Sequence, residues 1–219
     1  MTLPAELAEI LPRETARAWE HIAPILPDGC RLAGGTALAV HLRHRQSRDL
    51  DFFYDDPDLD LTALERRLAS LGSFAVSARA PGTLSAVLAG ARIQFLDAHE
   101  QIDLDAPAEH AGILVCSLAD VFAMKVKVIG DRGELRDYFD LERIEEVTGR
   151  RFEEGIGLYM TRYRIPPEHP SIAHIVEALG YLDDVDEDDM LPASRATIAA
   201  YWKRRQPEIS RSLARFPGS

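Results

Sequence analysis

Two carboxylates and a pair of glycines early in the chain have the types and spacing for phosphate chemistry. Asp49-Leu50-Asp51-Phe52-Phe53 alternates polar and apolar residues as a half-buried strand does. Side chains at i and i+2 of a strand share a face, so Asp49 and Asp51 point the same way while Leu50 and Phe52 face a core. Neighbouring carboxylates repel unless a cation or a proton lies between them. A hard, oxygen-seeking ion such as Mg2+ meets that need and commonly holds substrate phosphates as well. One helix earlier stands Gly34-Gly35-Thr36. Glycines allow a tight turn and close approach of backbone to a ligand. Thr36 is placed as the N-cap of a helix over 37–43, and the start of that helix, with its N–H groups and partial positive charge, suits a phosphate. Each feature alone is ordinary: most glycine pairs are turns, and most Asp-x-Asp pairs are solvated. Together they are what phosphoryl or nucleotidyl transfer needs, a cradle for phosphates and acids for a metal.

The elements that must position these residues follow from periodicity. Apolar residues at helical spacing predict one or two helices over 4–25, and Pro27-Asp28-Gly29 a turn into the strand ending at Ala33. The first helix after the glycines should end near His44. The acidic stretch 55–60 is turn-like, with Asp58 placed to cap a helix over 61–71 that stops at Gly72. Strands are predicted over 74–79 and 83–88 around Pro81-Gly82, and over 91–96. Residues 98–112 are polar and predicted as loop. Helices follow over 118–129, from 134 to the stop at Gly149, over 151–164 and 171–182, and then over 194–205 and 207–216. On the helix 118–129, Lys125 and Lys127 point about 200° apart, so one faces inward. Asp137 and Asp140, at i and i+3, share a face; by themselves they are ordinary exposed helix acids, or partners for Arg132 and Arg136.

The stretch Gly34–Phe53, GGTALAVHLRHRQSRDLDFF, resembles the signature of AbiE-type (AbiEii/AbiGii) nucleotidyltransferase toxins, within the polymerase-β-like nucleotidyltransferase superfamily. The similarity runs through Gly-Gly-Thr, a helix, His44-Arg45-Gln46-Ser47 and Asp-Leu-Asp-Phe-Phe. It continues in Ala123-Met124-Lys125 and in Arg136-Asp137-Tyr138-Phe139-Asp140-Leu141, and covers about residues 25–145. The resemblance implies an α+β fold: a mixed nucleotidyltransferase sheet with flanking helices over residues 1–115, then a C-terminal helical domain over 116–219. It implies Asp49, Asp51, Lys125 and Asp137 as catalytic residues, with Asp49 and Asp51 on Mg2+ and Asp137 as base. Gly34, Gly35, Thr36, Arg45, Ser47, Arg132 and Asp140 would form the nucleotide site, Lys125 with Arg45 or Arg132 offsetting phosphate charge and Asp140 fixing nearby basic groups. The family places a third carboxylate on the strand 91–96, where this chain has Gln94, which cannot replace a charged ligand. Asp97, three residues on, faces the other way on a regular strand. The implied activity is Mg-dependent transfer of a nucleotide from an NTP to an acceptor, RNA and in some relatives tRNA, by the toxin of a toxin–antitoxin pair with an antitoxin protein as partner. The alternatives are a small-molecule acceptor such as an aminoglycoside, or an inactive nucleotide- or partner-binding module, which Gln94 would favour.

Charge and cysteine content narrow the setting. A net charge of −11 argues against a strong sequence-independent grip on nucleic acid. Local cations remain: Arg43, His44, Arg45 and Arg48 cluster beside the acids, as a solvated loop or as a phosphate patch. The basic residues Lys203, Arg204, Arg205, Arg211 and Arg215 would meet RNA or the acidic run 183–189. The two cysteines lack metal-ligand spacing and are expected as reduced, buried side chains. No apolar run is long enough to span a bilayer, and no signal-peptide pattern is seen, so a cytoplasmic protein is expected.

Overall fold

The computed structural model describes residues 3–214. Two short helices come first, α1 (Ala5–Ile10) and α2 (Arg13–Ile22), burying Leu7, Ile10, Ala18, Trp19 and Ile22. Pro12 stands at the start of α2, where its missing N–H deprives the helix of no bond. β1 (Arg31–Ala33) is buried throughout and runs directly into α3 (Gly34–Leu42). That helix starts three residues before the expected position and ends at Arg43, which takes the left-handed conformation. β2 (Asp49–Tyr54) alternates half-buried and buried residues as its sequence predicts, with Leu50 and Phe52 fully buried. α4 (Leu61–Ala69) is capped by Asp60, which accepts from the N–H groups of Thr62 and Ala63. Asp58, expected in that role, lies too early, and its own N–H donates to Asp56.

β3 (Phe74–Ala80), β4 (Thr83–Leu88) and β5 (Ala91–Asp97) follow as successive antiparallel neighbours. β6 (Ala108–His110) and β7 (Ile113–Val115) form a short hairpin. Residues 108–110 were expected in a loop. They pair because Ala111 and Gly112 both adopt positive φ, 47° and 81°, the conformation of a tight two-residue turn. The seven strands form one sheet in the order β3-β4-β5-β2-β1-β7-β6. β1 is antiparallel to β2 and parallel to β7, and β2 is parallel to β5, so the sheet is mixed. Phe52 and Phe95 stack at 5.2 Å between ring centres on its buried face, each buried ring contributing roughly 1.5–3 kcal/mol.

Five helices complete the described chain: α5 (Leu118–Asp131), α6 (Leu135–Thr148), α7 (Phe152–Tyr163), α8 (Pro170–Leu179) and α9 (Arg195–Leu213). α9 is one helix where two were expected, and Pro207 lies inside it. Trp202, Arg205 and Ile209 are buried on both sides of the proline, so packing carries the helix across one missing N–H. The last two residues of the expected second helix, with Arg215, fall outside the described residues.

The chain divides into two compact units. One runs to Gln101 and includes Asp105–Ser117, and so holds the sheet; the other comprises Ile102–Leu104 and the chain from Leu118 onward. In the helical unit, a Cβ on Gly155 would collide with the Phe122 ring, so α5 and α7 approach this closely only because residue 155 is glycine. Arg162 and Asp120, both buried, form an ion pair, and Asp120 also accepts from the N–H of Leu104.

Candidate active site

In the sheet unit, the glycine turn and the acids meet as their spacing suggests. Gly34 has a positive φ of 64°, and a Cβ there would lie 2.5 Å from Asp51 Oδ2. The second carboxylate therefore rests directly on the turn that only glycine can make. A Cβ on Gly35 would lie 2.7 Å from Arg45 Nη2 and 3.3 Å from Ser47 Oγ. Gly34, Gly35, Arg45, Ser47 and Asp51 thus converge on one turn. The first turn of α3 has no side-chain cap, which leaves its N–H groups to suit an anion.

Thr36 is not the N-cap that was expected; Ala33 occupies that position. Thr36 is buried, and its hydroxyl donates to the Asp49 carbonyl at 2.5 Å and lies 2.8 Å from Ser47 Oγ. With its one proton committed to the strand, Thr36 fastens α3 and the Ser47 loop to the backbone that carries the acids. The helices α1 and α2 hold the same loop from the other side. Ser47 N–H donates to the Ile10 carbonyl at 3.0 Å, Thr15 to the Arg48 carbonyl at 2.9 Å, and Arg43 pairs with Glu6.

Asp49 and Asp51 lie on the same face of β2, each half-buried. Across the parallel pairing with β5, Asp49 faces Arg92 and Asp51 faces Gln94. Arg92 forms a two-pronged ion pair with Asp49: Nε donates to Oδ1 and Nη2 to Oδ2, both at 2.9 Å. Gln94 occupies the position read from the sequence as that of a third carboxylate, and its amide donates to Ser85 Oγ at 3.1 Å. Asp97 pairs with Tyr54 in unbroken register, three positions further along, and its carboxylate binds His99; burial pushes its carboxyl up, but the backbone N–H and the imidazole of His99 together hold it below its ordinary range. It does not turn toward the acids. Arg92 went unnoticed in the sequence, although it precedes Gln94 by two on a strand and must share its face.

The remaining candidates lie in the helical unit. Lys125 is the inward lysine, buried, with its ammonium 2.7 Å from Asp137 Oδ1 and 2.7 Å from Asp140 Oδ2. Lys127 is half-buried and pairs with Asp131. Asp137 is engaged at both oxygens, because Oδ2 accepts the N–H of Glu134 in a capping box at the start of α6. Both carboxylate oxygens of Asp137 are thus held within the helical unit. Arg132 and Arg136 both pair with Glu134. A groove of about 940 Å³ in this unit is lined by Arg132, Arg136, Asp131, Glu134, Glu177 and the acidic residues of 184–189. Its size suits a nucleotide, but its excess of carboxylates opposes a triphosphate. The acidic run also receives two of the cations of α9: Arg195 donates to the Asp183 and Val185 carbonyls, and Lys203 Nζ is 3.9 Å from Asp183.

An Mg2+ ion fits the sheet-unit acids by chemistry. The donors are oxygens on one strand face, half-exposed, against a glycine turn. Among the described residues no group of three or more His, Cys, Asp or Glu could hold a metal; Asp49 and Asp51 would supply two ligands, and phosphate oxygens and water the rest, the usual arrangement for Mg2+ on a nucleotide. The cysteines take no part: both are buried, and burial pushes the Cys30 thiol up to about 12. No helix among the described residues is long and apolar enough to cross a membrane.

A family model described as "Nucleotidyl transferase AbiEii toxin, Type IV TA system" matches residues 17–98 and 89–215. An uncharacterized protein, aq_aa25, from Aquifex aeolicus (strain VF5) is 27% identical over 188 residues, covering 84% of this chain and 86% of that protein. Among solved structures, JHP933 from Helicobacter pylori has a TM-score of 0.55 at 16% identity, over 97% of this chain and 95% of that one. MenT4, a nucleotidyltransferase toxin from Mycobacterium tuberculosis H37Rv, has a TM-score of 0.52 at 16% identity, over 96% of this chain and 94% of that one. At such identities these structures speak to the fold.

Proposed function

Since the chain belongs to the AbiEii nucleotidyltransferase toxin family, and is by that membership a nucleotidyltransferase, we propose that it transfers a nucleotide from an NTP to RNA with the help of a divalent cation held by Asp49 and Asp51. The observation that carries this is the contact of the Asp51 carboxylate with the Gly34 turn, which puts a metal-holding acid beside a phosphate-binding backbone. Bound there, the cation would neutralise the triphosphate and favour departure of pyrophosphate. The N–H groups of the first turn of α3 orient phosphate oxygens, and the Arg45 guanidinium beside Gly35 adds positive charge. Ser47 and Thr36 hold the turn, the loop and the strand in register, which is what in-line attack on the α-phosphorus requires. In the helical unit, Asp137 and Asp140 fix the ammonium of Lys125, to which the family resemblance gives a phosphate contact. An antitoxin protein is the partner this family implies.

One observation favours a second acceptor class. The groove lined by Asp131, Glu134, Glu177 and the acidic run would suit a polycationic small molecule such as an aminoglycoside. Incubation with each α-labelled NTP, Mg2+, and either total RNA or an aminoglycoside mixture separates the two. The RNA reading predicts acid-precipitable label in one or more NTP lanes. Label only in acid-soluble aminoglycoside would move the assignment to the second class, and no label with either acceptor would contradict both.

A further inference from the structure

We propose that Arg92 is the counter-ion of Asp49, and that a divalent cation binding Asp49 must exchange with it; this rests on the assignment of Asp49 and Asp51 as metal ligands. Arg92 sits directly across from Asp49, on β5, in the strand register. Its Nε and Nη2 donate to the two different oxygens of that carboxylate, each at 2.9 Å. A guanidinium in this fork-on-fork arrangement competes for both oxygens at once. A cation needs at least one of them, and its charge beside the guanidinium repels it, so the ion's arrival disfavours the fork. The Arg92 side chain is 70% exposed, so a displaced guanidinium returns to water without a burial penalty. The pair owes its geometry to the register of the strands and not to enclosure. At the next same-face position, Gln94 faces Asp51 and its amide is turned to Ser85. β5 therefore presents a cation and a neutral amide to the two acids, where a third carboxylate would have reinforced metal binding. Arg92 is a positioning residue: it sets how strongly Asp49 holds a metal.

The test uses Mn2+ alone, with bound and free ion read by electron paramagnetic resonance, on wild type, Arg92→Ala, Arg92→Lys, Asp51→Asn, Asp49→Asn and Asp49→Asn/Arg92→Ala, with folding checked by circular dichroism. Arg92→Ala should bind Mn2+ roughly two- to fivefold more tightly than wild type, the worth of one exposed ion pair. Arg92→Lys keeps the charge but not the fork and should fall between the two. The gain should vanish in the Asp49→Asn background, since the residues act through one contact. Equal or weaker binding by Arg92→Ala overturns the exchange; if wild-type binding is then still lost in Asp51→Asn, the metal assignment stands without it. Absence of saturable Mn2+ binding in both wild type and Arg92→Ala overturns both.

Discussion

At the scale of single residues, Gly34 joins the backbone to the chemistry. Its φ of 64°, and the mere 2.5 Å that would separate a Cβ from Asp51 Oδ2, are two separate reasons for glycine. Gly34→Ala should destabilise the fold by about 1–3 kcal/mol through backbone strain. Because it also displaces the acid, it should lower nucleotidyl transfer about a hundredfold in a protein that still folds; a steady-state rate beside a urea melt checks both. Lys125 behaves differently. Its removal in Lys125→Met leaves Asp137 and Asp140 buried without their cation, a loss of about 3–5 kcal/mol. Equilibrium unfolding in urea should show this before any assay does, and a variant as stable as wild type would refute the structural part of the account. The shared face of Asp49 and Asp51 was legible from a period of two; helical rotation showed only that one of Lys125 and Lys127 faces inward, and the family resemblance singled out Lys125. Arg92 was not, because its role depends on which strand lies beside β2, and no local pattern specifies that.

At the scale of elements, the sequence located most strands and helices but misjudged how some begin and end. α3 starts early because the Thr36 hydroxyl turns into the strand and does not cap. β6 was missed because an alanine takes a positive φ in its hairpin turn. α9 continues through Pro207 because packing of Trp202 and Ile209 outweighs a local penalty. Its anchor is Arg205, which binds Glu145 and Glu153, and Glu142 on α6 lies close to that network. Burial, reinforced by Glu146, pushes the Glu142 carboxyl from its ordinary 4.5 up to about 7, with Arg143 and Arg204 only partly offsetting it. The folded chain thus holds this proton more firmly than the unfolded chain does. Its contribution to stability is complete below about pH 4.5 and is lost as pH rises through about 7. Glu142→Gln should therefore melt about 2 °C above wild type near pH 8, a difference that closes near pH 5. A constant difference across that range would contradict the assignment.

At the scale of the whole molecule, the α+β class and the family were legible because motifs spread along the chain agree with one another. The order of the seven strands was not, since the β6–β7 hairpin joins the sheet beyond β1 through a β1–β7 pairing distant in sequence. Net charge also acts at this scale. On the proposed function, a chain at −11 would hold an RNA acceptor through a few local cations such as Arg45, so affinity should fall only about tenfold between about 50 and 200 mM salt, the fall expected of about two phosphate contacts. A much steeper fall in filter binding would point to a broad basic surface that this composition does not provide. The most direct test of the central claim is the rate of label transfer from NTP by folded Asp51→Asn beside wild type. The account predicts a loss on the order of a thousandfold, as when a group that stabilises transition-state charge is removed. A rate within about tenfold of wild type would contradict it, because the carboxylate resting on the Gly34 turn would then hold no ion that the reaction needs.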